Sequence, residues 1–171
     1  EVEAIRVLVV DDERDIREGS ERILSRLGFQ LQTAARGDEA LRIFDQVRPS
    51  LVLLDLKMPG LDGMEVLQRL RQRDPAILVI VITGYATVET AIEAMKQGAY
   101  DFIPKPFEPD QLRIVVNRAA DKIRLTRETQ KLELEKARTL FDLDTEKSRL
   151  RTIIESLPDG VLVTNTGGQV V

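Results

Sequence analysis

The sequence predicts an α/β fold, a doubly wound parallel sheet of five strands with helices on both faces. Three observations carry this. Short apolar runs, such as residues 51–54 and 77–83, are bounded by turn formers and charged residues, the pattern of strands buried on both faces. Between them, apolar residues recur every three or four positions, the spacing of amphipathic helices. The two kinds alternate along the chain, which favours parallel strands joined by helical crossovers. Right-handed crossovers leave few topologies, and the pattern alone leaves the strand order open.

Residues 6–10 (RVLVV) form the first strand, followed by Asp11, Asp12 and Glu13. Ile16, Ser20, Ile23, Leu24 and Leu27 stripe the first helix, which Gly28 stops. Residues 29–34 are a second, less apolar strand, expected near a sheet edge. Ala40, Leu41, Phe44 and Val47 stripe the second helix, closed by Pro49. Residues 51–55 form the third strand, ending in Asp55, with a turn at Met58, Pro59 and Gly60. Met64, Leu67 and Leu70 mark a third helix after Gly63, ended by Asp74 and Pro75. Residues 77–83 (ILVIVIT) are the most apolar strand and are expected to be central. Val88, Ala91, Ile92 and Met95 stripe a fourth helix, with Gly98 at its end. Phe102 and Ile103 lie in a short fifth strand ended by Pro104, Lys105 and Pro106, and a fifth helix starts at Pro109.

The polar residues at the strand ends repeat a position. Asp11 and Asp12 end the first strand, Asp55 the third, Thr83 the fourth and Lys105 the fifth. In a parallel sheet these ends share one edge, the edge where open α/β sheets bind ligands. Three crowded carboxylates raise one another's pKa unless a cation joins them. Hard carboxylate oxygens at an open edge suit Mg2+, and a hydroxyl and an ammonium opposite it would cradle a transferring phosphoryl group. Asp55 is the expected nucleophile. The bland alternative is a set of independent turn and capping residues, which five matching strand ends disfavour.

At this point the sequence resembles the receiver domain of two-component response regulators, over roughly residues 5–118. VVDDE, LLDLKMPGLDG, ITGYA and GAYDFIPKPF stand in that family's order and spacing, and residues 83–107 are most similar to receivers of the nitrogen-regulator class. The resemblance implies a flavodoxin-like sheet of order 2-1-3-4-5. It implies Asp55 as phosphoacceptor, Asp12 as direct Mg2+ ligand, Asp11 as a ligand largely through water, and the Lys57 backbone carbonyl as a further ligand. It makes Thr83 the switch hydroxyl, Lys105 the phosphate-pairing lysine and Phe102 the aromatic that follows Thr83, although Phe102 also reads as an ordinary core aromatic. It also implies a cis Lys105–Pro106 bond. Lys57 and Tyr85 take the positions that gate the water attacking the phosphoryl group. The resemblance further implies a phosphohistidine donor on a cognate histidine kinase or phosphotransfer protein.

From residue 110 to residue 157 there is neither Gly nor Pro. One continuous helix of that length would span on the order of 70 Å. Leu140, Leu143, Lys147, Leu150, Ile154 and Leu157 fall on the a and d positions of one heptad frame, and the frame slips between Lys122 and Lys136. A parallel homodimeric coiled coil is expected, the alternative being a helix folded back on its own domain. The stretch SLPDGVLVTNTGGQVV, with a strand, a turn and a second strand, resembles the opening of a PAS sensory domain. The domains expected are therefore a receiver over 1–120, a coiled-coil linker over 121–157 and the start of a PAS domain over 158–171. Since the first residue is Glu1 and the last hairpin cannot bury a core, a longer parent is expected.

Composition bounds the function. The chain has 171 residues, 32% of them charged, a net charge of -4, no Cys and no His. That excludes disulfides, thiolate metal sites, His-based triads and a phosphohistidine within these residues. An acidic balance with both signs interspersed gives no invitation to nucleic acid, and no apolar run approaches the roughly 18 residues of a membrane helix. A cytoplasmic location is expected. A haloacid-dehalogenase-type phosphatase also uses a strand-end Asp and Mg2+ but needs a second Asp two residues on, where Lys57 stands. No GxxxxGK[ST] loop is present for ATP hydrolysis. Beyond its own phosphotransfer and dephosphorylation, the chain is not expected to be a conventional enzyme. The leading reading of the parent is a hybrid sensor histidine kinase. A pseudo-receiver dimerisation platform and a PAS-containing transcriptional or second-messenger regulator are the alternatives.

Overall fold

The computed structural model describes residues 3–157. Five strands alternate with five helices: β1 (Arg6–Val10), α1 (Arg14–Arg26), β2 (Gln30–Ala34), α2 (Gly37–Val47), β3 (Leu51–Leu54), α3 (Gly63–Arg73), β4 (Leu78–Thr83), α4 (Val88–Lys96), β5 (Asp101–Pro104) and α5 (Pro109–Ser156). All pairings are parallel and the order is β2-β1-β3-β4-β5. The chain divides into two compact units, residues 1–124 and 125–171, and α5 contributes to both. The hairpin expected after Leu157 lies outside the described residues.

The sheet separates two apolar layers, and the strand period of two assigns residues to each. Leu8, Val10, Val52, Leu54, Val79 and Val81 face α2, α3 and α4, where Phe44, Val66, Leu67 and Leu70 meet them. Val7, Val9, Leu51, Leu53, Ile80 and Ile82 face α1 and the first turns of α5, where Leu24, Leu112, Val116 and Ile123 meet them. β3, the middle strand, is buried along its whole length on both faces. Each such aliphatic side chain stabilises the fold by about 1.5–3 kcal/mol. β4, expected to be central, lies one place off centre with a partner on each side, and β2 takes the edge its composition suggested.

Two local features depart from simple patterning. In α4 the apolar stripe points outward: Val88, Ile92 and Met95 are exposed, while Ala94 is the residue buried against the sheet. A small residue lets this short helix approach closely, so burial there follows size and not hydrophobicity. Gly63 opens α3 with no unusual backbone angle. Its place is fixed by a close approach, since a Cβ there would overlap the backbone of Leu56 and lie 2.6 Å from the Leu56 carbonyl oxygen and 2.7 Å from that of Asp55. The Gly63 amide also donates to the Leu56 carbonyl at 3.1 Å.

Gly63→Ala is therefore expected to push α3 off the turn that follows β3, at a cost of about 3 kcal/mol. Urea unfolding followed by circular dichroism should show a lower midpoint with an unchanged slope; an unchanged midpoint would contradict the close approach.

Candidate functional site

Parallel strands place the residues that follow them on one edge, and backbone bonds fix their positions there. The Asp11 amide donates to the Ala34 carbonyl at 3.1 Å and the Asp55 amide to the Val10 carbonyl at 2.9 Å. The Lys105 amide donates to the Thr83 carbonyl at 3.0 Å. Each residue thus continues the hydrogen bonding of the ladder just past the end of its strand. The Lys105–Pro106 peptide bond is cis.

The side chains converge. The Lys105 Nζ lies 2.7 Å from Asp11 Oδ2, 2.9 Å from Glu13 Oε1 and 3.2 Å from Asp55 Oδ2. Asp11 and Asp55 are almost fully buried, whereas Asp12 and Glu13 are open to solvent. Oxygens of all four carboxylates lie within 4.8 Å of one another. At that separation the buried pair Asp11 and Asp55 repels by roughly 3 kcal/mol at an effective dielectric near 20. The ammonium between them offsets that repulsion. Local backbone donors add to it: the Glu13 amide binds Asp11 Oδ1 at 2.9 Å and the Lys57 amide binds Asp55 Oδ1 at 3.1 Å.

Thr83 is fully buried at the end of β4, and its Oγ1 accepts from the Tyr85 amide at 3.3 Å. Tyr85 is exposed, and the Lys57 ammonium sits 3.4 Å from its ring centroid. This cation–π contact ties the loop after β3 to the loop after β4. Phe102 stands apart from the carboxylates. It pairs with Val81 in the ladder, so it shares a sheet face with Thr83, and it packs half-buried against the α2–α3–α4 layer.

Two residues of this edge were not singled out from the sequence. Glu13 shares Lys105 with the aspartates, and its only signal is its place beside the Asp pair. Arg17, one turn into α1, donates to the carbonyls of Asp11 at 2.8 Å and Asp12 at 2.9 Å. Nothing in its spacing announces that role, because its partners are backbone atoms.

Burial pushes the Asp11 carboxyl above its ordinary pKa, with the nearby Asp55 adding to the effect against the hydrogen bonds from Lys105 and Glu13. For Lys105, burial disfavours the ammonium, but the bonds to Asp11 and Glu13 and the attraction of Asp11 and Asp55 outweigh it and raise its pKa well above 10.5. The signs follow by linkage. The Lys105 contribution is complete below pH 10.5 and is lost as pH rises through the higher folded value. Ionised Asp11 costs stability, a cost that appears as pH rises from 3.8 through its folded value and persists at neutrality. In chelator at pH 7, Asp11→Asn should therefore melt at a higher temperature than the parent chain, with the gain shrinking as pH falls toward 3.8. A lower melting temperature at pH 7 would show that the Lys105 pair outweighs the burial cost.

The comparisons with known proteins agree with this geometry. The model of the response regulator receiver domain matches residues 7–117, and a PAS domain model matches residues 148–171. The chain is 38% identical over 152 residues to the nitrogen assimilation regulatory protein NtrX of Azorhizobium caulinodans, covering 87% of this chain and 34% of that protein. It is 40% identical over 114 residues to the regulatory protein AtoC of Escherichia coli, covering 67% of this chain and 25% of that one. The chain thus spans about a third of the length of the first of these relatives and a quarter of the second. Among solved structures, the receiver domain of NtrX from Brucella abortus is 43% identical with a TM-score of 0.64, covering 67% of this chain and 98% of that domain. A chemotaxis protein, CheY4 of Vibrio cholerae, shares the fold at 28% identity with a TM-score of 0.65, covering 68% of this chain and 99% of that one. With its carboxylates, hydroxyl and lysine on one edge of a 2-1-3-4-5 sheet, and with that family's model matched from β1 into α5, this chain belongs to the response regulator receiver domain family.

Proposed function

We propose that the chain is a phosphoacceptor module, in which Asp55 takes a phosphoryl group from a phosphohistidine and a helical stalk passes the change to a PAS region. The observation that carries this is the Lys105 ammonium, held between Asp55 and Asp11 at 3.2 and 2.7 Å. Receivers of this family act with histidine kinases or phosphotransfer proteins, and a kinase of that kind in the cytoplasm is the donor. Among the described residues no helix is long and apolar enough to cross a membrane.

The chemistry follows from the residues. An Asp55 oxygen attacks phosphorus in line with the donor imidazole, the new O–P bond forms as the N–P bond breaks, and the imidazole leaves with the electron pair. Lys105 pairs with the phosphoryl oxygens. Thr83, one strand away, supplies a hydroxyl donor to the product, and Phe102 repacks on the face that Thr83 vacates. This is a shift between two packings, driven by contacts available only in the phosphorylated state.

Receiver domains bind Mg2+ at an acidic pocket, and the donor set here fits that ion. Asp11, Asp12, Glu13 and Asp55 offer only hard oxygens, clustered within 4.8 Å and half open to water. Asp12 and Asp55, with Asp11 through water and the Lys57 carbonyl, would hold it. When bound, Mg2+ neutralises charge on the transferring phosphoryl group.

For the parent, one reading is a hybrid sensor histidine kinase that carries both a receiver and a PAS region. The regulatory names of the similar proteins favour the second reading, a PAS-containing transcriptional regulator. The stalk makes the chain a parallel homodimer. Its support is that every described residue from 128 to 157 is exposed, including Leu140, Leu143, Leu150 and Ile154. Aliphatic side chains at heptad spacing are costly to leave in water.

Three outcomes are expected. Acetyl phosphate or phosphoramidate with Mg2+ should add one base-labile phosphoryl group, read by mass spectrometry as a net gain of one HPO3, about 80 Da, the mark of a single acyl phosphate. Asp55→Asn or chelator should abolish it, and a label retained at a native site in Asp55→Asn would refute the assignment. With donor removed and no kinase present, the Lys57–Tyr85 contact should keep water out and the phosphoryl lifetime should be hours; hours and seconds differ by about 5 kcal/mol of barrier. Decay within seconds would overturn that role. Finally, Leu143→Asp with Leu150→Asp should turn a dimer into a monomer at micromolar concentration, measured by sedimentation.

A further inference from the structure

From Leu140 in α5 to Leu157 just past its end, the a and d positions carry a single polar residue. Leu140, Leu143, Leu150, Ile154 and Leu157 are each 41–58% exposed, and their spacing sets them alternately at a and d with Lys147 at a. Leu143, Lys147, Leu150 and Ile154 lie along one face of α5, with Glu146 and Arg151 beside them. In the same frame Glu146 is at g and Arg151 at e.

We propose that Lys147, flanked by Glu146 and Arg151, makes this face a two-stranded, parallel, in-register contact with a second copy of the chain. The inference rests on the parallel-dimer reading above and adds the number of strands, the register and the residues that set them. The charges supply the first reason. In a parallel pair each g residue meets the e residue five positions on in the partner, so Glu146 of each copy faces Arg151 of the other, and symmetry makes two such pairs. The lysine supplies the second. A two-stranded seam leaves its a positions near the rim, where a four-carbon stem packs against the partner while the ammonium reaches water and the neighbouring Glu146. A third or fourth helix would close over that layer and bury the charge unpaired. Sliding the pair by one heptad would oppose Lys147 to a leucine or isoleucine layer in each copy and break both Glu146–Arg151 contacts. One polar layer thus selects one register among seams that the aliphatic residues alone would tolerate.

The chain has no cysteine, so single introduced thiols report on this seam without interference. The parent chain is first sedimented in full: a monomer refutes the dimer reading itself. Given a dimer, Leu143→Cys and Leu150→Cys chains are oxidised separately and as a mixture. Each is expected to cross-link with itself, and the mixture to give almost no 143–150 product. Self-cross-links missing from both, or a 143–150 product as abundant as either, mean an antiparallel, slipped or unpaired seam and overturn the inference while leaving a dimer in place. Lys147→Leu, built into both cysteine chains, is expected to let the 143–150 product appear; the same self-only pattern would show that Lys147 sets nothing. Glu146→Arg should weaken the dimer roughly tenfold and Arg151→Glu added to it should restore most of that loss. Equal affinity in all three chains would remove the charge pairing from the account.

Discussion

The Lys105 ammonium is the point on which the carboxyl edge of the sheet closes, because it touches carboxylates that follow two other strands, Asp11 and Glu13 after β1 and Asp55 after β3. Four acidic groups gather there against one lysine. Without that cation the buried Asp11 and Asp55 would repel across a short gap in a poorly screened setting. With it, the edge is held together but still under-neutralised, which is the electrostatic condition for taking up a divalent cation. The same lysine stands where a phosphoryl group on Asp55 would need a partner. One residue therefore serves the resting fold and the proposed chemistry.

That arrangement depends on how the strand ends are held. Asp11, Asp55 and Lys105 each extend the ladder by one backbone bond beyond their strands, so their side chains are aimed by the sheet and not by flexible loops. Gly63 lets α3 start directly against the turn that carries Asp55, and Arg17 clasps the backbone of Asp11 and Asp12. The loops after β3 and after β4 are linked on the outside by the Lys57–Tyr85 contact.

Beyond the sheet, α5 changes character along its length. Leu112, Val116, Ala119, Ala120 and Ile123 are buried in the first unit, while the residues from 128 to 157 are all exposed. One helix thus serves as a core element in its first turns and offers an unpartnered apolar stripe in its last. From Leu140 to Leu157 its heptad positions carry exposed aliphatic side chains with Lys147 among them, the surface on which the proposed pairing rests.

The strands and the polar residues that end them were legible from residues 6–10, 51–55 and 77–83, because apolar runs buried on both faces and stopped by polar residues leave little choice of fold. Element ends moved by a residue or so: β3 stops at Leu54 and β4 starts at Leu78. The strand order 2-1-3-4-5 was not in the pattern, since hydrophobic period fixes which face a residue takes but not which strand lies beside which. Nor did period decide which face of α4 is buried, where the close approach of Ala94 outranks three larger apolar side chains. The sharing of Lys105 by Glu13 as well as the two aspartates, the clasp by Arg17 and the contact of Lys57 with Tyr85 were decided only in the tertiary structure. They join residues from separate elements, and such meetings follow from packing in three dimensions, which no local spacing encodes.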